Sequence, residues 1–238
     1  MFDIKNACNS VLNAIEAATA LITAGMYRTI LITCGECSSR VVRWTIPTRR
    51  HLTRSLAGFT FSDAGAALIL TASTDGPDDP GVLHTAFWAD SAQWPLATVG
   101  GGSRWPREDS SLDDDERYAQ IDGAALFAAS RRLAESAIDP LPLTPEYGRL
   151  PTEEGWRSFA LVGLHQINAF YHRAAIAAFG IPPELTIATV AEHGNLGAAT
   201  LPLQLVRGRA RGLVRPGDLV ALIGMGSGLS LGIVVLKL

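Results

Sequence analysis

The sequence predicts an α/β protein, because short β-rich runs alternate with segments whose apolar residues recur at helical spacing. Of its 238 residues, 47% are hydrophobic and 18% are charged. That is enough apolar material for a substantial core in one large domain or in two closely packed halves. No short repeat of solenoid type is visible, so we expect helices packed against a sheet.

The first part of the chain is predicted to contain a long helix and two strands, preceded by the end of another strand. The helix is indicated by its apolar spacing and by Gly25, a residue type that commonly follows the last helical turn. In chain order, these elements are a strand end at residues 2–5, the helix at 9–24, a strand at 29–34, a small-residue turn at 62–65 and a strand at 66–70.

The alternation returns after a poorly patterned stretch at residues 74–115, and residues 139–155 form a second, proline-rich loop. The later elements share clear apolar patterns, and the last two flank a glycine-rich turn. They are a helix at 124–137, a strand at 159–164, a helix at 169–179, a strand at 186–190, a helix at 198–208, and strands at 219–223 and 229–236.

The overall composition excludes several classes of function. The net charge of −3 gives no sequence-wide surface for nucleic acid. Three cysteines are too few for a disulfide framework and fit a reducing cytosol. Asp3 and Lys5 interrupt any signal-like apolar run, and no segment approaches the ~20 apolar residues of a spanning helix. We therefore expect a cytoplasmic protein without a membrane span.

Cys8 lies between the predicted strand end and the first turn of the long helix. Unpaired N–H groups and the helix dipole favour a thiolate at such a position and lower the pKa of a cysteine. The same N–H groups can bind the oxyanion of a thioester. A single cysteine is more often a small buried hydrophobe, so placement alone leaves both interpretations open.

Two further polar residues occupy similar positions. His165 directly follows a predicted strand, and Asn195 lies in a glycine-flanked loop between a predicted strand and a helix. Open α/β sheets gather their ligands at the carboxyl ends of strands. Each residue alone has an ordinary structural interpretation, as a hydrogen-bonding histidine or a turn asparagine. Cys8, His165 and Asn195 therefore all lie in predicted strand-to-helix connections, which favours a shared site.

Five segments then form a set: FDIKNACNSVLNAI, FTFSDAGAALIL, HQIN, EHGNLGAATLPLQL and GDLVALIGMGSGLSLG. In this order they resemble the nucleophile segment, the Phe-Gly-Asp-Gly turn, the histidine motif, the asparagine motif and the closing glycine turn of β-ketoacyl synthase III enzymes. The resemblance covers nearly the whole chain and is weakest over about residues 75–155.

The resemblance implies a thiolase-like layered αβαβα fold with two halves. Residues 1–80 would belong to the N-terminal half with the nucleophile, and residues 81–238 would form the C-terminal half. It also implies a homodimer or a paired heteromer, no cofactor or metal, and acyl-CoA or an acyl carrier protein as partner. The implied site residues are Cys8, His165 and Asn195 as catalytic triad, the backbone N–H groups of Cys8 and Ser227 as oxyanion donors, and Asn168, Phe170 and Arg173 as substrate-binding residues.

This triad suits a Claisen condensation. The cysteine of a condensing enzyme accepts an acyl group, and a second thioester becomes a carbanion that attacks it. The enolate oxygen of that second thioester needs hydrogen-bond donors without negative charge, which a histidine N–H and an asparagine NH₂ supply. Asn195 therefore favours enolate chemistry over simple acyl transfer.

Three features depart from the family pattern. Ser227 replaces the middle glycine of the closing turn, where a positive φ would strain a serine. This Gly-Ser-Gly turn and residues 39–46 resemble the olefin-biosynthesis branch, which condenses two acyl thioesters. Phe170 stands where members that dock acyl carrier protein often carry a basic residue. Arginines that can meet an acidic carrier or a CoA phosphate are Arg173, Arg207, Arg209 and Arg211.

The front of the chain also differs, because the family has a long segment before the nucleophile and only seven residues precede Cys8 here. We expect an incomplete N-terminal half, completed by the rest of a longer chain or by a second polypeptide in a heteromer.

Two other signals have ordinary interpretations. Cys34 and Cys37 have the spacing of a redox or zinc site but are expected in the core. The core is also expected for four tryptophans that are otherwise candidates to line an acyl tunnel: Trp88, Trp94, Trp105 and Trp156.

The sequence therefore predicts an acyl-thioester condensing enzyme of fatty-acid, polyketide or related lipid biosynthesis. Two alternatives remain open at this point. One is an acyltransferase on the same scaffold that moves a Cys8-bound acyl group to an alcohol or amine. The other is a non-catalytic subunit or a truncated remnant.

Overall fold

The structure, a computed structural model, describes residues 1–73, 79–100, 114–138 and 153–238. Its strands are β1 Thr29–Cys37, β2 Asp63–Thr71, β3 Gly81–Ala89, β4 Ala97–Val99, β5 Ala119–Ile121, β6 Leu161–Leu164, β7 Leu219–Gly226 and β8 Ser230–Lys237. Its α-helices are α1 Ser10–Thr23, α2 Arg49–Ser55, α3 Asp114–Arg117, α4 Gly123–Ile138, α5 Glu153–Trp156, α6 Ala169–Phe179, α7 Val190–His193 and α8 Thr200–Ala210.

The largest described sheet has four strands in the order β3-β8-β7-β6. β6 runs parallel to β7, and the other neighbours are antiparallel. Alternate residues of the two central strands enter two different apolar clusters. Ile223 and Val235 pack with α4, α6 and Trp156, whereas Leu222 and Val234 pack with α1 and α8. The sheet is thus covered by helices on both faces, which explains the continuous apolar runs of β7 and β8.

Helix α1 forms because its apolar residues recur on one face. That face, Val11, Leu12, Ile15 and Ala18, is buried against the sheet. Full burial of a side chain such as Val11, Leu12 or Ile15 stabilises the fold by about 1.5–3 kcal/mol. Gly25 has a φ of +72°, and its N–H donates to Ile22 O, so the helix ends as predicted.

Strands β1 and β2 form an antiparallel pair against α1. Alternate residues of both strands are exposed, and the directly paired Leu31 and Ile69 are 62% and 69% exposed. β2 begins at Asp63, opposite Cys37, so the turn predicted at residues 62–65 is wrong. The strand end predicted at residues 2–5 is also wrong, because these residues form no strand.

The alternation of strands and helices confirms the predicted α/β class, and α6 has its predicted bounds. The strand predicted at residues 186–190 is wrong: the segment is irregular and leads into α7. Its backbone bonds a buried side chain instead of a neighbouring strand. Gln166 donates from Nε2 to Ile187 O at 2.6 Å, and its Oε1 accepts the N–H groups of Thr189 and Val190 at 2.9 and 3.0 Å.

Candidate active site

Cys8 lies in a tight bend that leads into α1. Ala7, directly before it, has a φ of +47° and is the one non-glycine with positive φ among the described residues. Asn9 N–H donates to Asn6 O at 3.0 Å, and Ser10 N–H donates to Ala7 O at 3.1 Å. A strained residue next to a nucleophile is common where a reactive group is held on a sharp turn. This bend was not predicted from the sequence.

Asn9 anchors the bend to the β7–β8 hairpin. Its side chain is fully buried, and Nδ2 donates to Ser230 Oγ at 3.4 Å. A Cβ on Gly224 would fall on Asn9 Oδ1, and one on Gly232 would lie 2.9 Å from Asn9 Nδ2. Glycine at these positions therefore makes room for the residue that follows the nucleophile.

The Cys8 thiol is protonated at neutral pH. Burial raises its pKa to about 12, the negative charge of Glu36 acts in the same direction, and its own backbone N–H has the opposite, weaker effect. The expectation that the helix N-terminus lowers this pKa is therefore wrong, because burial has the larger effect.

His165 follows β6, as predicted, and its N–H donates to Ile223 O at 2.9 Å. Burial lowers the pKa of His165 to about 4, so the ring is neutral at neutral pH. Both ring nitrogens are buried and have no hydrogen-bond partner within the described part of the chain. The ring can therefore direct either nitrogen to a bound substrate.

Asn195 lies in a turn after the short helix α7, rather than after the strand that the sequence predicted. Its Oδ1 accepts the N–H of Gly197 at 3.0 Å, which leaves Nδ2 as the donor side of the amide. Its backbone pairs with residues before β2, since Ser62 N–H donates to Asn195 O at 3.0 Å and Asn195 N–H donates to Thr60 O at 2.6 Å. This pairing fixes both the main chain and the side chain of Asn195.

Glu36, on β1, contacts the same turn. Its Oε1 accepts the N–H of Ala198 at 2.9 Å, and a Cβ on Gly197 would come within 2.6 Å of its carboxyl group. Glu36 was not among the predicted site residues, because the two cysteines of Cys34-Gly35-Glu36-Cys37 are the more conspicuous signal in this segment. A carboxylate between them, at the end of a strand, was the available signal.

Consecutive residues of β7 contact two of the three segments that carry the predicted triad. Ile223 O accepts the His165 N–H, and Gly224 packs against Asn9, next to Cys8. Glu36 relates the third segment to the nucleophile, since it bonds the Asn195 turn and its charge acts on Cys8. The triad assignment itself stays a prediction.

Ser227 lies in the turn between β7 and β8 without a positive φ. The left-handed conformation in this turn belongs to Gly228, whose φ is +120°. The strain expected for a serine therefore does not arise, and the predicted use of the Ser227 N–H as an oxyanion donor stays open.

A cleft of about 520 Å³ lies beside the Asn195 turn. Its lining includes Phe59, Phe61, Asn168 and His193. Asn168 is also the N-cap of α6, since its Oδ1 accepts the Tyr171 N–H at 2.9 Å. Of the three predicted substrate-binding residues, Asn168 lines this cleft.

The other two predicted substrate-binding residues are exposed and do not line the cleft. Phe170 is 63% exposed, and its ring lies 5.3 Å from Tyr171 and 6.4 Å from Phe127. Arg173 is exposed on α6. Arg207 is nearer to the cleft, because it donates to His193 Nε2 at 2.7 Å. Because an arginine can only donate, His193 Nε2 is the acceptor of this bond.

A second cavity, of about 260 Å³, lies at the β7–β8 turn. Asn6, Trp88, Leu229 and Ser230 are among its lining residues. The other three tryptophans considered for an acyl tunnel have different surroundings: Trp156 is buried and donates to Phe179 O at 2.9 Å, Trp94 is exposed, and Trp105 lies outside the described residues.

Cys34 and Cys37 are free cysteines on β1, three residues apart and therefore on opposite faces of the strand. Cys37 is exposed, so the core position expected for it is wrong. Within the described ranges, His, Cys, Asp and Glu side chains form no group of three or more that could hold a metal ion. None of the helices in this part of the chain is long and apolar enough to cross a membrane.

Comparison with protein families gives two matches. The model described as 3-oxoacyl-[acyl-carrier-protein (ACP)] synthase III matches residues 2–91, and the model of its C-terminal part matches residues 156–238. Curated relatives include the beta-ketoacyl-[acyl-carrier-protein] synthases III of Rhodobacter capsulatus and Dinoroseobacter shibae. They are 30% and 31% identical over 239 residues, which cover 99% of this chain and 67% of each relative.

Solved structures show the same fold. Cerulenin-bound OleA from Xanthomonas campestris superposes with a TM-score of 0.83 at 22% identity, and FabH from Xanthomonas oryzae with 0.79 at 22%. All of this chain is covered in both cases, against 64% and 66% of those chains. The chain thus spans about two thirds of the length of these proteins, and the expected thiolase-like fold is confirmed.

Proposed function

Because the chain belongs to the 3-oxoacyl-[acyl-carrier-protein] synthase III family of acyl-transferring condensing enzymes, we propose that it joins two acyl thioesters through an acyl-Cys8 intermediate. The observation that carries this proposal is the orientation of Asn195. Its Oδ1 accepts the Gly197 N–H, so the side chain is held by its oxygen and its Nδ2 is the neutral donor of the amide. A fixed, uncharged donor suits an enolate oxygen, which a carboxylate at this position would repel.

In the first step, Cys8 Sγ attacks the carbonyl carbon of an acyl thioester. A carbon–sulfur bond to Cys8 forms, the bond to the leaving thiol breaks, and the Cys8 proton is transferred to that leaving sulfur. Since the pKa of Cys8 is raised to about 12 and that of His165 is lowered to about 4, the resting pair is a thiol and a neutral imidazole. Proton transfer therefore accompanies the attack instead of preceding it.

In the second step, a malonyl-type thioester loses CO₂, and the electron pair of the broken bond becomes an enolate. His165 N–H and Asn195 Nδ2 donate to the enolate oxygen. The carbanion carbon attacks the acyl carbon on Cys8, a carbon–carbon bond forms, and Sγ leaves as a thiolate that takes up a proton from the solvent. A malonyl donor suits this site because decarboxylation creates the carbanion without removal of a proton by a base.

The finer assignments belong to the same proposal. Coenzyme A or acyl carrier protein delivers the thioesters through the cleft beside Asn168. Arg207, which bonds His193 of the cleft lining and lies 3.6 Å from the Glu192 carboxylate, is the arginine that meets a phosphate. The cavity beside Trp88 and Leu229 holds the acyl chain. A second copy of the chain or another polypeptide packs on the exposed face of β1 and β2.

The test is intact-protein mass after incubation with a panel of acyl-CoAs, with Cys8→Ser as the control. We expect a gain of one acyl group that the control lacks. Malonyl-CoA is then added to the acylated protein. A β-keto product with release of CO₂ supports condensation. A product in which two acyl groups of the first acyl-CoA are joined, formed without release of CO₂, would assign the non-decarboxylative reaction.

Two other outcomes contradict the proposal. Transfer of the acyl group to an added alcohol or amine, without a new carbon–carbon bond, would assign acyl transfer on the same scaffold. A cooperatively melting protein that forms no adduct with any acyl-CoA would exclude Cys8 as the acyl acceptor in this chain.

A further inference from the structure

Glu36 connects β1 to the turn that carries Asn195. Its Oε1 accepts the Ala198 N–H at 2.9 Å, while its Oε2 accepts the Ser38 hydroxyl at 3.3 Å. Gly197 packs directly on this carboxylate, since a Cβ there would lie 2.6 Å from it. Two residues of the turn are therefore fixed by one side chain.

The same turn orients the Asn195 amide. Gly197 has a φ of +53°, and its N–H is the group that Asn195 Oδ1 accepts at 3.0 Å. If Glu36 released Ala198, the Gly197 N–H would lose its fixed direction, and the Asn195 amide would be free to rotate. The carboxylate thus acts on Asn195 through two successive hydrogen bonds.

We propose that Glu36 is a positioning residue that fixes the Asn195 side-chain amide for the condensation step. The inference rests on the proposed function, because it assigns to Asn195 the binding of the enolate oxygen. Small displacements of such a donor have large effects: an error of about 1 Å in a reacting group can lower a rate about a hundredfold.

The placement of Glu36 has a consequence for the nucleophile. Its negative charge contributes to the raised pKa of Cys8, so the carboxylate disfavours the thiolate. A residue that served acylation alone would not carry a negative charge here. A role in positioning Asn195 explains why a carboxylate stands at this position although it opposes the first step.

Two conservative variants separate the hydrogen bond from the charge. Glu36→Gln keeps an oxygen that accepts the Ala198 N–H but removes the charge. Glu36→Asp keeps the charge but withdraws the acceptor by one methylene, so the bond to Ala198 is lost. Glu16→Gln is the matched control, because its carboxylate also accepts a bond from another element, Thr85 Oγ1 at 3.1 Å, away from the turn.

Three readouts are measured: alkylation of Cys8 by iodoacetamide, acylation of Cys8 by intact mass, and formation of the β-keto product. We expect Glu36→Asp to acylate normally and to lose condensation by about a hundredfold. Glu36→Gln should retain most of the condensation rate and alkylate faster than the parent protein. Equal loss of condensation in both variants, or no loss in Glu36→Asp, would overturn the proposal.

A fourth readout is independent of activity. The ¹⁵N–¹H signals of the Asn195 side-chain amide, identified by their absence in Asn195→Ala, report its hydrogen bonding. They should shift in Glu36→Asp and stay near the parent position in Glu36→Gln. If the parent protein makes no product, the proposed function fails, and these signals alone decide the positioning role. Unshifted signals in Glu36→Asp would exclude it.

Discussion

Gln204 hydrogen-bonds both backbone groups of Leu164, the residue directly before His165. Its Oε1 accepts the Leu164 N–H at 3.1 Å, and its Nε2 donates to Leu164 O at 2.7 Å. The side chain is fully buried and takes the place of a neighbouring strand at the free edge of β6. The end of β6, where His165 begins, is therefore fixed from α8.

Gln204→Leu tests this relationship. Leucine fills similar volume but leaves the buried N–H and C=O of Leu164 without partners, and each costs about 1–3 kcal/mol. We expect the free energy of unfolding to fall by about 2–4 kcal/mol in a urea titration. Gln93→Leu, which removes a half-buried amide that bonds Asp90 within a local turn, should change it by less than about 0.5 kcal/mol. Equal losses of unfolding free energy in Gln204→Leu and Gln93→Leu would show that the bonds to Leu164 do not contribute to stability.

Gly224→Ala tests the contact between the hairpin and the nucleophile bend. The added methyl would fall on Asn9 Oδ1 and lie 2.9 Å from Leu12, so it must displace one of them. We expect a loss of about 1–3 kcal/mol in stability and slower acylation of Cys8.

The double variant Gly224→Ala with Asn9→Ala removes the obstructing side chain and should recover part of both losses. Gly81→Ala at the start of β3, where a new Cβ would contact nothing within 4 Å, is the matched control. Failure of the double variant to recover acylation would mean that Asn9 is not the residue displaced.

The features that the sequence predicted share a local cause. Helix α1 follows from apolar spacing and Gly25, and α6 from its pattern and the cap at Asn168, so both were predictable from neighbouring residues. Strand β3 was missed, because its pairing comes from β8, far along the chain. The segment at 186–190 was called a strand on its composition, whereas Gln166 bonds its backbone.

The site shows the same division. The positions of Cys8, His165 and Asn195 were found from motifs, since each motif is a continuous segment. Glu36 and Gln204 were not, because each acts on a backbone group 162 or 40 residues away. The pKa of Cys8 was predicted in the wrong direction, since burial depends on the packing of the whole fold.

The buried His165 gives a prediction for the dependence of stability on pH. Its pKa is lowered from 6.5 to about 4 by burial, so the folded state disfavours the charged ring. The resulting contribution to the free energy of unfolding is fully present above pH 6.5 and is lost as the pH falls through 4. The shift corresponds to roughly 3 kcal/mol.

The measurement compares the parent protein with His165→Asn, which cannot titrate there, by urea unfolding between pH 7 and pH 4. As the pH falls, the free energy of unfolding should decrease more in the parent protein than in the variant. His172, whose pKa is also lowered by burial, is present in both proteins and cancels. A difference that stays constant across this range would contradict the burial of the His165 ring.

Asn195→Asp separates the two steps of the proposed reaction. An aspartate still accepts the Gly197 N–H, so the turn is retained, but the donor Nδ2 becomes a second, negatively charged acceptor. That oxygen repels an enolate, and loss of one such donor lowers a rate about a hundredfold to a thousandfold. We expect acyl-Cys8 to form and accumulate, visible by intact mass, while β-keto product formation falls by this factor.

Asn13→Asp is the matched control, because it adds the same charge on α1 and keeps the bond accepted from Asn6 at 2.7 Å. Equal loss in the two variants would assign the effect to added charge, whereas undiminished condensation in Asn195→Asp would remove Asn195 from the reaction.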